Sequence, residues 1–484
     1  MSPYLVLTVV LAYFAVLIAI SRITGRDQGN AAFFLGNRQS PWYIVAFGMI
    51  GATLSGVTFI SIPGWVGESS FSYMQMVLGY LVGYFIIANV LMPLYYRLNL
   101  TSIYTYLEDR FGFYSYKTGA LFFILSRLVG VSLRVYLMAG VLQVTVFDAW
   151  GVPFFVSVAV TVILIWLYTV RGGIRTIIWT DTLQTFFMIV AAGATVYAVA
   201  GELSLDTGGL LGAIYDSEHS KVFFFEDWRD GRFFFKQFAG GVFIAIVMTG
   251  LDQDMMQKNL SCRNINEAKK NMYWFSIALV PVKLLLLALG ALLLIFASET
   301  GIILPDRADD IFPVIATHGY LPSFITIFFI VGLVAATYSS ADSTLTALTT
   351  SFSVDIIGRG RKPEAVPLAT RKIVHAAMAL ALVIFIILFR TLNGQSVISL
   401  VLTLAGYTYG PLLGLFSFGI FTRISVKDRL VPLVAILSPV LTWLIDSVSE
   451  RYLAGYHFGY EIVVLNGLIT FAGLLLIKRS GAGS

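Results

Sequence analysis

Apolar residues in this chain fall into long runs parted by short polar stretches. A helix of about 20 apolar residues crosses the hydrocarbon core of a bilayer, and about thirteen runs here meet that length. They cover 3–20, 42–62, 74–96, 118–147, 152–170, 178–200, 236–257, 272–297, 321–356, 373–389, 396–421, 430–446 and 460–477. The pattern predicts an all-α membrane protein. The first run has no basic residue before it and no small-x-small site after it, so it is expected to stay as a span rather than be removed. The closing Gly-Ala-Gly-Ser is left out of the reading.

Three runs break the apolar pattern. The second carries Gly48, Gly51 and Gly56 with Thr53, Ser55 and Thr58 among them. The seventh carries Gly240, Gly241 and Gly250, followed by Asp252, Gln253 and Asp254. Glycine weakens a helix, and two glycine-interrupted spans five apart point to a binding site between inverted repeats. The repeats would run from the second to the sixth span and from the seventh to the eleventh. The ninth run holds VGLVAATYSSADSTLTALTTSFSVDI from Val331. At helical spacing Ser339, Ser343, Thr346 and Thr350 share a face, flanked by Ala336 and Ser340 on one side and Asp342 on the other. Oxygen ligands with one negative charge suit a small hard cation. Small residues also suit close helix packing, but packing does not require the Asp342 carboxylate.

Composition agrees with the spans. The 484 residues are 58% hydrophobic and 12% charged, with mean hydropathy +0.83. A soluble chain needs about a quarter of its residues charged. The net charge of +5 is spread over short loops, which is no nucleic-acid signal. Lys and Arg concentrate in alternate loops, and the opposite set holds only Lys221, Arg229, Arg232, Lys236, Arg307, Arg390 and Arg451. By the positive-inside rule the amino terminus is outside and the carboxyl terminus cytoplasmic. With Cys262 the sole cysteine and four scattered histidines, neither a thiolate cluster nor most membrane-enzyme chemistry is expected. A channel would share the buried hydroxyls but need no solute site.

Three basic residues fall inside spans. Arg127 and Arg134 lie two turns apart on one face of the fourth, and Lys283 lies in the eighth. Each arginine either serves a ligand or pairs with a structural acid or headgroup. Asp181, near the cytoplasmic end of the sixth span, either binds a cation or caps and pairs with Arg171 or Arg175. Asp342 needs a cation, a proton or a base such as Lys283 to offset its charge.

Several segments resemble the sodium/solute symporter family over nearly the whole chain: ATLSGVTFISIP, GGIRTIIWTDTLQ, DQDMMQKNL, SSADS and GYTYGPLLGLFSFGIF. The resemblance implies a five-plus-five inverted-repeat, leucine-transporter-like core working by alternating access in the plasma (bacterial inner) membrane. It divides the chain into a first span and loop (1–40), two repeats (41–200 and 236–421) around an extracellular loop (201–235), and two further spans and a tail (422–484). It implies Na+ held by carbonyls of Gly51, Leu54 and Ala336 and hydroxyls of Ser339 and Ser340. A second cation site would use Asp181, Ser339 and Ser343. The family's sialic acid branch has serine where this chain has Asp342, which puts the sodium stoichiometry in doubt.

For the solute, the resemblance implies contacts from Thr53, Ser55, Thr58, Phe71 and Gln75. The arginine of the sialic acid branch aligns with Gly130, which Arg127 and Arg134 flank, so either could replace it. The sugar branch's asparagine aligns with Asp252, beside Gln253. The expected activity is sodium-driven symport of a sugar acid such as sialic acid, or another small carboxylate, by a monomer in lipid. A neutral sugar or polyol is the alternative.

Overall fold

The computed structural model describes residues 3–25, 29–358, 366–390 and 397–479. Arg26, Arg359, Arg361 and Lys362, basic residues of the Lys- and Arg-rich loops, lie outside the described residues, as does the Gly481–Ser484 tail. Among the described residues the chain is nearly all helix, with isolated bridges only at Ser40–Cys262 and Val426–Lys478.

The helices are α1 (Pro3–Thr24), α2 (Asn30–Leu35), α3 (Trp42–Thr53), α4 (Gly56–Ser69), α5 (Tyr73–Ile86), α6 (Met92–Arg97), α7 (Thr105–Arg110), α8 (Phe113–Leu142), α9 (Phe154–Glu202) and α10 (Thr207–Asp216). Then follow α11 (Phe234–Ala245), α12 (Gln253–Leu260), α13 (Ile265–Thr300), α14 (Ala308–Thr317), α15 (Ser323–Ser351), α16 (Leu368–Phe389), α17 (Val397–Phe421), α18 (Val431–Tyr452) and α19 (Ile462–Leu476). Nine described helices are long and apolar enough to cross a membrane, or ten if the bent pair α11–α12 counts as one span. The chain is thus an integral membrane protein.

Two breaks shape the core. Between α3 and α4, Leu54 leaves the helical region (φ −89°, ψ 67°) and Ser55 is extended. Gly56 lets this break lie flush on α15: a Cβ there would come within 3.1 Å of Thr337 Cβ. Between α11 and α12 the chain bends by 65°, after a π-helical turn at Ile246–Gly250. The 49-residue α9 absorbs two of the expected runs and turns at Gly173 (φ 52°, ψ −140°). A Cβ at Gly173 would meet Phe33 O at 2.5 Å, so only glycine fits that close approach.

At the centre lies α15, buried on every side from Gly332 to Ser351 and packed against α9, α8, α4, α16 and α1. Its alanines and hydroxyl residues allow this close approach, and most of its hydroxyls bond within the protein. At one end Asp355 accepts from Ser102 Oγ, Tyr116 OH and Ser351 Oγ and contacts Lys117, tying α8 and the 98–104 loop to the end of α15. Near the other end Gln75 clamps the loop before α11: Nε2 donates to Arg232 O (2.7 Å) and Oε1 accepts from Phe224 N (3.1 Å). In that loop, hydrogen bonds from Arg232 hold the Asp230 carboxyl below the usual carboxylate range.

Candidate transport site

The break in α3–α4 puts the backbone at 54–56 against Thr337, next to Ala336, with Ser339 and Ser340 about one turn on. A broken helix frees carbonyls that can bind a cation. Ser339 Oγ donates to Asp181 Oδ1 at 2.6 Å, and Ser340 Oγ accepts from Arg134 Nη1 at 2.9 Å. Each hydroxyl keeps a lone pair for a cation. The oxygen-only donor set fits Na+.

Asp181 pairs with neither Arg171 nor Arg175. Its partner is Lys258, whose ammonium lies 2.8 Å from Asp181 Oδ2 and 3.9 Å from Asp254 Oδ1. Lys258 is only 1% exposed, although its polar surroundings in sequence place it in a loop. The 65° bend turns α12 inward, and every residue from Gln253 to Leu260 is buried. Asp342 is likewise not paired with Lys283. Its Oδ2 accepts from Tyr168 OH at 2.7 Å, while its buried Oδ1 has no hydrogen-bond partner among the described residues. Ser343 Oγ donates to Ser339 O (2.9 Å) and Asp254 Oδ2 (3.3 Å).

On the other side of Ser340 lies a cavity of about 90 Å³, bounded by both broken helices, α5, α8, α13 and α17. Thr53, Ser55, Thr58, Arg127 and Arg134 line it. The two arginines differ in state. Arg127 is locked by Nε and Nη2 to the two carboxylate oxygens of Asp252, each at 2.6 Å. Asp252 also caps α12 through Asp254 N and takes a contact from Tyr409 OH. Arg134 has Ser340 as its hydrogen-bond partner, no carboxylate within ion-pair distance among the described residues, and an unpartnered Nε. Phe71, Gln75 and Gln253 lie off the cavity wall. Phe71 packs in the core, Gln75 holds the outer loop, and Gln253 bonds Ile103 N and Thr101 O.

The cavity also takes Lys283 and three tyrosines, Tyr73, Tyr80 and Tyr84. Their spacing of seven and four residues on one helix face is a signal the sequence carries, but aromatic stripes at helical spacing are ordinarily core.

Two broken helices thus face a cavity lined by hydroxyls, basic side chains and apolar residues. Residues 33–427 match the Sodium:solute symporter family. The chain belongs to that family. As a member it is a sodium-coupled symporter. It is 26% identical over 480 residues to the sodium/sialic acid symporter NanT of Aliivibrio fischeri, covering 95% of this chain and 91% of that one. It is 26% identical over 422 residues to the human sodium/iodide cotransporter, covering 82% of this chain and 62% of that longer protein. A solved Na+-coupled sialic acid symporter in a substrate-bound outward-open state superposes with TM-score 0.81 at 22% identity, over 98% of both chains.

Proposed function

We propose that this symporter couples Na+ to the uptake of a small organic acid, a sugar acid such as sialic acid or another carboxylate. The observation that carries the reading is Arg134: a guanidinium on the cavity wall with no carboxylate within ion-pair distance among the described residues. An unpaired charge in a membrane interior is costly, and a planar fork suits a carboxylate. The relatives named above are described as carrying sialic acid and iodide, both anions. Thr53, Ser55 and Thr58 supply hydroxyls for the rest of the solute. Asp252 is spent on Arg127 and the α12 amides, which disfavours a neutral sugar held by that position.

One sodium is held by Gly51, Leu54 and Ala336 carbonyls with Ser339 and Ser340. A second cation binds at Asp342, beside Ser343 and Asp181. Charge supports this: Asp181, Asp252, Asp254 and Asp342 are all buried around two paired cations, Arg127 and Lys258. Bound sodium supplies positive charge beside Ser340. There it favours the geometry in which Arg134 faces the solute, so the two bind with positive linkage.

The architecture follows the same reading. Joining α3 with α4 and α11 with α12, parting α9 at Gly173, and counting α19 gives thirteen spans. The matched breaks support repeats over 41–200 and 236–421, moving against each other in alternating access. The protein acts as a monomer in the inner-membrane lipid, amino terminus out. Sodium-driven uptake into proteoliposomes tests it. Saturable, uphill uptake of an acid supports the reading. Uptake of neutral sugars alone, or flux that never saturates, overturns it.

A further inference from the structure

We propose that Lys283 is a second anion-recognising residue of the solute cavity and that the solute carries two acidic groups, as in a short dicarboxylate. The inference rests on the reading of Arg134 as a carboxylate contact and deepens it.

Lys283 lies midway along α13 and is 2% exposed, too deep to reach a headgroup by snorkelling. Among the described residues no carboxylate comes within 4 Å of its side-chain nitrogen, whereas Arg127 and Lys258 each have two. Its contacts are Tyr73 OH at 3.4 Å and the face of the same ring at 5.3 Å. A neutral hydroxyl and a ring face do not offset a buried ammonium. Lysine contributes nothing to packing that an apolar residue would not, and it is costly inside a span. Tyr73 OH also lies 3.2 Å from Tyr80 OH. The two hydroxyls hold two protons between them, so one remains to donate to a ligand beside Lys283.

Among the described residues the cavity thus presents two basic side chains, on α8 and α13, with no carboxylate within ion-pair distance. A monoanion would satisfy one and leave the other buried alone. Two acidic groups satisfy both.

The test is calorimetric binding to the full-length protein in detergent with sodium, using succinate, butyrate, sialic acid and glucose. Wild type is expected to bind succinate about tenfold or more tighter than butyrate. Lys283→Met should abolish that preference, and Lys283→Arg should retain it. Melting temperature reports whether each variant is folded. If folded Lys283→Met keeps the wild-type ratio, or wild type binds both acids equally, the inference is overturned while an Arg134-dependent affinity for monoacids would leave the carboxylate reading intact. If glucose binds and no acid does, the carboxylate reading itself fails.

Discussion

Arg134 Nη1 donates to Ser340 Oγ at 2.9 Å. On the proposed reading this single bond joins the sodium and solute halves of the site. Ser340 belongs to the oxygen cluster at the broken helix, and Arg134 belongs to the solute cavity. On the proposed reading a cation that draws on the serine oxygen and an anion that draws on the guanidinium both loosen this bond, so each makes the other's partner available. Coupling between sodium and solute needs a group that both ligands feel, and the proposed sites give this pair that role.

If the cluster binds sodium, Ser339→Ala and Ser340→Ala each raise the sodium concentration for half-maximal uptake. Unchanged sodium dependence in both variants would return the serines to helix packing.

Arg134→Ala should lower solute affinity by roughly ten- to 150-fold, the range for a lost charge-assisted contact. Arg134→Lys should not restore it, because an ammonium lacks the fork. Arg127 is held bidentately by Asp252, so Arg127→Ala should mainly cost stability. Wild-type affinity in Arg134→Ala would remove the main support for a carboxylate solute.

Lys258 and Asp181 form a buried ion pair. Removing one partner leaves the other charge uncompensated, at about 3–5 kcal/mol. Lys258→Met should therefore depress the melting temperature sharply, and Lys258→Met with Asp181→Asn should recover part of the loss. No recovery in the double variant would mean that Lys258 matters chiefly to Asp254 instead.

Asp342 Oδ1 is buried with no hydrogen-bond partner among the described residues. With a second sodium there, uptake rises with sodium with a Hill coefficient above one at saturating solute. Asp342→Ala should take it toward one, while Asp342→Ser should largely preserve it. A coefficient of one in wild type counts against the second site. Uptake whose pH dependence vanishes in Asp342→Asn would assign the site to a proton.

The apolar runs made the helices legible, and the glycines of the second and seventh runs marked the breaks. Burial of polar residues was harder to read. The stretch from Asp252 to Asn259 has the composition of a water-facing loop, yet it is buried because its groups find partners inside: Gln257 donates to Phe34 O and Thr350 Oγ1, and Asn259 meets Asn271. Lys258 was hidden for that reason. Lys283 was visible as a charge in a span, but its neighbours are set by how α13 packs on α5, which spacing along one helix does not reveal. Arg127 and Arg134 share a face and differ only because Asp252 reaches one of them.

The most direct test of the account is the linkage between sodium and solute, measured as solute affinity by calorimetry across a wide sodium range in wild type and Ser340→Ala. The account predicts that sodium tightens solute binding in wild type and that solute tightens sodium by the same factor. In Ser340→Ala that factor should shrink toward one while the variant stays folded. Equal solute affinity with and without sodium in wild type, or an undiminished factor in Ser340→Ala, would contradict it.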